Sequence, residues 1–144
     1  MDKKEILQEE DFYLDITNET IVYDGFAENA GRPDDKKMKV YIKPFSGRDL
    51  YFIQSKVKSE LRKYLQDNPD ADFGQMYEFY NDKWNFITRI EKIENFFYKD
   101  NEEEGIKEFK TAEELFNYPS TATFNLVSEL FIYFAKIDRL NLKN

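Results

Sequence analysis

The stretch Met38-Lys-Val-Tyr-Ile-Lys-Pro-Phe-Ser-Gly-Arg-Asp-Leu-Tyr-Phe-Ile-Gln-Ser-Lys-Val57 contains a change of hydrophobic period. In its first part apolar residues alternate, as on a strand with one buried face. The alternating positions are Met38, Val40 and Ile42. In its second part apolar residues recur every three or four positions, as on an amphipathic helix, at Leu50, Ile53, Val57, Leu61 and Leu65. The pattern therefore predicts a strand that passes directly into a helix.

Four residues lie at the point of change, Ser46-Gly-Arg-Asp49. They could form a phosphate-binding or reactive loop, an exposed recognition tripeptide, or the cap of the helix. A phosphate loop needs more glycines and a Lys-Ser/Thr ending, and only Gly47 is present. A serine before a helix accepts a hydrogen bond from a free backbone N–H, and Asp49 suits the positive end of the helix dipole. We interpret the four residues as a helix cap.

A small antiparallel sheet is predicted in the N-terminal third of the chain. The alternating runs Phe12–Ile16 and Thr20–Asp24 flank a short turn and predict two strands. The third strand runs from Lys37 to about Phe45, after a loop rich in Gly, Pro, Asn and Asp at Glu28–Asp35. The three strands form a sheet or meander.

Helical periodicity dominates the rest of the chain. The first helix runs from about Gly47 to Gln66, and the second, rich in aromatic residues on more than one side, from about Phe73 to Tyr98. After a charged turn and an extended segment at Ile106–Phe109, Thr111-Ala-Glu-Glu114 has the pattern of a capping box that opens a short helix ending before Pro119. The last helix starts at Ser120 or Thr121.

These elements define one domain of 144 residues, long enough to bury a core. The fold class is α+β and mainly α, with about three strands packed on three or four helices. Residues 1–11 form an acidic N-terminal segment, 12–45 the sheet and 46–144 the helical part. No internal repeat or low-complexity linker divides the chain.

The composition argues against an enzyme. Cysteine and histidine are both absent, which excludes disulfides, thiolate nucleophiles, imidazole bases and the usual zinc sites. The acidic clusters Asp34-Asp35 and Glu102–Glu104 lack the alternating ligand spacing of a calcium loop. Glu91 and Glu94 share a helix face, but nothing marks a catalytic pocket around them. We predict no catalytic residue, no metal site and no cofactor.

Charge is unevenly distributed. The chain carries −8 overall, whereas residues 36–66 hold nine Lys or Arg against only Asp49 and Glu60, a local charge of +7. Acidic neighbours in the same chain or solvent could satisfy this basic segment, or it could be a binding patch. Its candidate charged contact face consists of Arg48, Lys56, Arg62 and Lys63. The negative total makes nucleic acid an unfavourable partner.

The last helix is unusually apolar. In Leu126–Ile137 nine of twelve residues are apolar, so this helix is either buried centrally or pressed against another molecule. The stretch is too short to span a membrane and contains Glu129 and Lys136. The charged first residues also lack the pattern of a secretory signal peptide. These features predict a soluble protein of the cytoplasm.

The order of the elements resembles that of bacteriophage tail assembly chaperones. The similar stretches are Val40–Ser46, Phe109–Leu115 and Leu126–Phe131, and the resemblance covers most of residues 38–144. It implies a small, acidic, non-enzymatic protein of the host bacterial cytoplasm. Such chaperones bind the long helical tape measure protein, keep it soluble during tail assembly and often self-associate.

The leading hypothesis is therefore an assembly chaperone that covers apolar helices of a protein client. Its predicted partner-binding residues are Tyr80, Trp84, Phe131, Tyr133, Phe134 and Ile137. An alternative is a small acidic inhibitor of a host defence or nucleic-acid enzyme, or another phage structural or interaction protein. The effect of salt on partner binding distinguishes the chaperone from the inhibitor. An inhibitor that fills a basic channel depends on charge, whereas an apolar interface tolerates salt.

Overall fold

The structure is a computed structural model that describes residues 20–100 and 105–143, with side chains up to residue 138. The predicted strand at Phe12–Ile16 and the acidic segment 1–11 lie outside the described residues. Among the described residues, the predicted fold class is confirmed: the protein is mainly helical, with a small three-stranded antiparallel sheet and four helices.

The sheet contains β1 (Ile21–Tyr23), β2 (Lys39–Ile42) and β3 (Ile90–Glu94), in that order. Both neighbouring pairs are antiparallel, and the central Val40 lies opposite Tyr23 on one side and Ile93 on the other. The alternation at residues 38–42 is confirmed, because Met38, Val40 and Ile42 are all buried. The inner face of the sheet therefore forms one wall of the core.

A buried amide holds the loop between β1 and β2 in place. Asn29 is buried, and its amide nitrogen donates to the carbonyl oxygens of Asp24 (2.7 Å) and Met38 (2.9 Å). Its amide oxygen accepts from the backbone N–H of Met38 at 2.7 Å. The predicted turn region thus folds back onto the start of β2, because one side chain satisfies backbone groups on both sides of the loop.

The boundary of the second helix was predicted wrongly. Helix α1 (Gly47–Asp67) agrees with prediction, but α2 (Phe73–Arg89) ends at Arg89 rather than Tyr98, and the next residues form β3. Strand β3 supplies partners for the second edge of β2 and buries Ile90 and Ile93 in the core. These tertiary contacts outweigh the helical spacing, since a period of three or four is weak evidence over so few residues.

The remaining elements follow prediction more closely. A short ribbon pairs β4 (Phe97–Tyr98), which was predicted as the end of the second helix, with β5 (Lys107–Glu108), which lies in the predicted extended segment Ile106–Phe109. Thr111 caps α3 (Ala112–Asn117) by accepting a hydrogen bond from the backbone N–H of Glu114 at 3.2 Å. The last helix, α4 (Thr121–Lys143), begins after Ser120, whose hydroxyl accepts from the N–H of Thr123 at 3.1 Å.

Two hydrophobic clusters organise the described part of the chain. The main cluster lies between the sheet, α2, α3 and α4, and its most deeply buried large side chains are Val40, Phe86, Phe96, Leu115 and Leu130. A smaller cluster between α1 and α2 is built on Ile53, Val57 and Trp84. Ile87 contacts both clusters, so α2 is the element that joins them.

Candidate binding surface on the helical hairpin

Helices α1 and α2 form a helical hairpin at residues 47–89. Helix α1 packs on α2 and makes at most marginal contact with the other described helices and strands. Its buried residues, Ile53, Val57 and Leu61, all lie on the side that faces α2. Most of the circumference of α1 is consequently open to solvent.

The start of α1 is fixed by a reciprocal cap. The Ser46 hydroxyl accepts from the N–H of Asp49 at 3.3 Å, and the Asp49 carboxylate accepts from the N–H of Ser46 at 2.9 Å. The cap satisfies two backbone donors that the first turn leaves free. Ser46–Asp49 therefore acts as the predicted helix cap, which sets where the hairpin leaves the sheet.

A groove of about 650 Å³ runs between α1 and α2 toward the tip of the hairpin. The lining residues are Val57, Lys58, Leu61, Arg62, Leu65, Gln66, Phe73 and Tyr77. The rings of Phe73 and Tyr77 stack with centroids 6.3 Å apart, and these side chains are 61% and 47% exposed. Large aromatic side chains at this exposure form an apolar surface that another molecule could cover.

The rim of the groove is basic. Lys58 and Arg62 are both exposed and lie one helical turn apart on α1. Neither forms a salt bridge with any residue in the described ranges, and no carboxylate lines the groove. An apolar floor with two unpaired cations on its edge favours a partner that is apolar on one face and acidic beside it.

The other side of the hairpin is filled by Trp84. Its indole N–H donates to the Glu60 carboxylate at 2.8 Å, and the Lys83 ammonium lies 3.3 Å from the same group. The Lys56 ammonium is 5.2 Å from the indole ring, within cation–π range. Trp84 is only 7% exposed. The side chain therefore joins α1 to α2, and the partner contact predicted for it would require the hairpin to open.

Tyr80 lies one turn before Trp84 and is half-buried. Its ring contacts those of Tyr64 and Phe79, with centroid distances of 6.2 and 5.3 Å. Burial raises the pKa of the Tyr80 phenol, and the nearby Glu60 carboxylate raises it further. Tyr80 thus supports the packing of the hairpin and keeps part of its surface accessible.

The predicted partner-binding residues of α4 are held largely by the chain itself. Phe134 is 4% exposed, whereas Phe131, Tyr133 and Ile137 are half-buried against the main cluster. The Tyr133 ring lies 4.4 Å from that of Tyr23. This part of α4 forms a wall of the core. The composition of the helix left open central burial or contact with another molecule, and these side chains agree with central burial.

The outer face of α4 is exposed at different positions. Phe124 and Ile132 are 69% and 73% exposed. Ile132 lies opposite the buried Val127, Leu130 and Phe134, whereas Phe124 lies about 80° from Ile132 around the helix, at the edge of the buried side, and about two turns before it. The outer part of α4 therefore presents a second, smaller apolar surface around Ile132.

Of the predicted charged face, only Arg62 lies at the groove. Arg48 and Lys63 are exposed elsewhere on α1, and Lys56 lies over Trp84. The prediction missed Lys58, Leu65, Phe73 and Tyr77. The sequence contains a signal for them: two apolar pairs with a spacing of four residues lie on either side of the turn of the hairpin. These pairs are Leu61 with Leu65 on α1 and Phe73 with Tyr77 on α2.

A second cavity of about 440 Å³ lies beside β4 and the start of α4. Its aromatic walls contact one another: the rings of Tyr98 and Phe109 stack at 4.1 Å, and Tyr118 packs against both. Because these rings pack against one another, the walls of this cavity present less exposed apolar surface than the hairpin groove does.

Comparisons with known proteins add no relative: no protein-family model matches the chain, and no curated protein or solved structure matches it significantly.

Within residues 20–100 and 105–143, no group of three or more acidic side chains is placed to hold a metal ion. None of the described helices has both the length and the apolar character required to cross a bilayer.

Proposed function

We propose that the protein is a non-enzymatic assembly chaperone, of the kind that keeps a phage tape measure protein soluble in the host bacterial cytoplasm during tail assembly. The observation that carries this proposal is the apolar groove of the helical hairpin, with Phe73 and Tyr77 exposed on it. A long helical client exposes apolar stripes before it is assembled, and such stripes bind in grooves between helices. The groove offers such a stripe an apolar surface on which to bind.

The composition supports a binding role. A chain without histidine or cysteine has few means of acid–base or nucleophilic catalysis near neutral pH. Exposed aromatic side chains, by contrast, are the residues that contribute most binding energy at interfaces. The overall charge of −8 keeps a chaperone and its client dispersed.

The three stretches behind the resemblance contribute structure rather than contacts. Val40–Ser46 contains most of β2 and the Ser46 that caps α1, Phe109–Leu115 contains the cap of α3, and Leu126–Phe131 supplies Leu130 to the core. The assignment to tail assembly therefore rests on the resemblance in element order, and the mode of client binding rests on the groove.

Self-association belongs to the same proposal. The exposed Ile132, with Phe124 about two turns before it on α4, does not line the groove and could pair with the same surface of a second copy. Light scattering coupled to size exclusion would then report an oligomer. Ile132→Asp would convert it to a monomer without removing the groove.

The function is tested by co-expression with candidate clients, namely the long helical proteins, if any, that the neighbouring genes encode. We expect the client to be soluble and co-purified with the wild-type chain, and the complex to persist in 0.5 M NaCl because its contact is apolar. Phe73→Ser combined with Tyr77→Ser should lower the soluble yield of the client severalfold. Phe97→Ser combined with Ile106→Ser is the matched control, with two substitutions at exposed positions (51% and 76%) outside the groove and outside α4.

Two outcomes would contradict the proposal. The first is a client whose solubility is the same with and without the wild-type chain. The second is capture only of a basic nucleic-acid enzyme in a complex that dissociates with salt, which would favour the inhibitor hypothesis.

A further inference from the structure

We infer that the hairpin groove binds an amphipathic helix whose apolar face is flanked by carboxylates, and that Lys58 and Arg62 select this charge. The inference rests on the proposed function and specifies which segments of a client would be bound. It depends on the combination of an apolar floor and a basic rim in one groove.

The size of the groove fits a helix. Along α1 the lining extends from Val57 to Gln66, which corresponds to about 14 Å, or about two and a half turns. A third helix laid against two packed helices can place apolar residues at i, i+4 and i+7 over a groove of this length. The aromatic rings of Phe73 and Tyr77 would form one wall of the contact and Leu61 and Leu65 the other.

The chemistry of the groove disfavours a small molecule. Small-molecule sites combine an apolar pocket with a few convergent polar groups that fix the orientation of the ligand. Here the polar groups of Lys58, Arg62 and Gln66 belong to exposed side chains at the edge of α1. They are suited to contact charges that lie beside an apolar stripe.

The basic rim is effective although the whole chain is acidic. Residues 36–66 carry a local +7, and at physiological ionic strength charges act over only about 8 Å. A helix bound along α1 therefore experiences Lys58 and Arg62 most strongly. The carboxylates at the tip of the hairpin lie at its turn and do not line the groove; they are those of Asp67, Asp70 and Asp72. Since Lys58 and Arg62 have no ion-pair partner among the described residues, a bound carboxylate would not have to displace one.

Two synthetic helical peptides test the inference. Both carry the same leucine stripe at i, i+4, i+7 and i+11; one has Glu beside the stripe and the other has Lys. Titrations followed by fluorescence anisotropy with the full-length protein at low salt should show about tenfold tighter binding of the Glu peptide, as expected for two exposed charge pairs that become repulsive in the Lys peptide. The difference should shrink in 0.5 M NaCl.

A charge exchange on the protein makes the test specific. The double variant Lys58→Glu with Arg62→Glu should reverse the preference, so that the Lys peptide binds more tightly. The control is Arg48→Glu with Lys63→Glu, which makes an equal change of charge on the same helix but away from the groove. This variant should keep the preference for the Glu peptide. All four side chains are exposed, so the variants are expected to fold; circular dichroism checks this.

Several results would overturn the inference. Equal binding of the two peptides, no binding of either, or the same effect from both double variants would each do so. A dimer that becomes a monomer with Phe73→Ser but not with Ile132→Asp would mean that a second copy occupies the groove. Tighter peptide binding after Glu9→Lys with Glu10→Lys would mean that the chain's own N-terminal segment occupies it.

Failure of this inference is distinguishable from failure of the proposed function. A chain that keeps its client soluble but shows no charge preference for peptides retains the function and loses the inference. A chain that prefers the Glu peptide but leaves every candidate client insoluble retains the groove specificity and loses the assignment to tail assembly.

Discussion

The two regions of the molecule differ in how they use apolar side chains. The sheet, α3 and α4, together with the side of α2 that faces them, form a body that buries its large residues, and every large side chain with less than 2% exposure belongs to the main cluster. The helical hairpin has a small cluster and carries six of the twelve large exposed hydrophobic residues of the described chain. The body contains most of the buried core, whereas the hairpin leaves more of its apolar area exposed.

The joint between the regions is α2. Its last turns place Phe86 in the main cluster, while Trp84 on an adjacent side belongs to the cluster with α1. The Arg89 guanidinium adds an ion pair to Asp138 of α4 at 2.7 Å. Helix α2 is therefore held firmly by the body, and α1 depends on α2 for its position.

The largest expected effect is in the body. Phe86→Ala should lower the free energy of unfolding by about 3 to 5 kcal/mol, because it leaves a cavity in the main cluster. Urea denaturation followed by circular dichroism measures the change. Phe79→Ala, on the same helix but half-exposed, is the matched control and should cost about 1 kcal/mol or less. Equal losses would contradict the division between the two regions.

A second prediction concerns the contact between β1 and α4. The Tyr23 hydroxyl donates to the Glu129 carboxylate, so Tyr23→Phe should cost about 1 to 2 kcal/mol at neutral pH. Burial raises the pKa of Tyr23, and the hydrogen bond to Glu129 and its charge raise it further.

The sign of the pH dependence follows from that raised pKa. Above about pH 10 the unfolded tyrosine loses its proton while the folded one keeps it, so this contribution to stability is complete below pH 10 and declines above it. Urea titrations at pH 8, 10 and 11 should show a shallower decline for Tyr23→Phe than for the wild type. Tyr51→Phe, at a highly exposed position, should leave the stability at pH 8 unchanged.

A third, smaller effect is expected at the base of the hairpin. Ser46→Ala removes the acceptor for the N–H of Asp49 and should lower stability by about 1 kcal/mol. Ser59→Ala, in the exposed interior of α1, is the control and should be neutral or slightly stabilising. A cost at Ser59 as large as that at Ser46 would contradict the capping role.

The smallest stability effect is expected at the groove. Phe73→Ser should change the free energy of unfolding by about 0.5 kcal/mol or less, because the ring is mostly exposed. The same variant should weaken binding of the Glu peptide severalfold. Val57→Ala, which is buried beneath the groove, should show a stability loss of about 1 kcal/mol or more. A large loss of stability at Phe73 would place that ring in the core rather than on a binding surface.

Much of the fold could be predicted because its signals are local. The change of period across residues 38–57, the serine and threonine caps and the start of α4 depend on residues a few positions apart. The prediction of α2 was wrong beyond Arg89 because Ile90–Glu94 pairs with β2, about fifty residues earlier in the chain. No local pattern contains that partner.

The candidate site was less predictable for the same reason. An apolar residue at helical spacing has the same pattern whether it faces its own core or solvent. Phe134 and Trp84 were thus chosen as partner contacts although the chain covers them, while Phe73 and Tyr77 were passed over although they are exposed.

The sequence by itself determined the absence of histidine and cysteine chemistry, the basic segment 36–66, the strand-to-helix switch and its cap at Ser46–Asp49. These depend on composition and on contacts within a turn or two. Only the tertiary structure decided where α2 ends, which face of α4 is buried, and that Lys58 and Arg62 border an apolar groove. Each of these depends on which distant segments meet, and burial is settled only when they do.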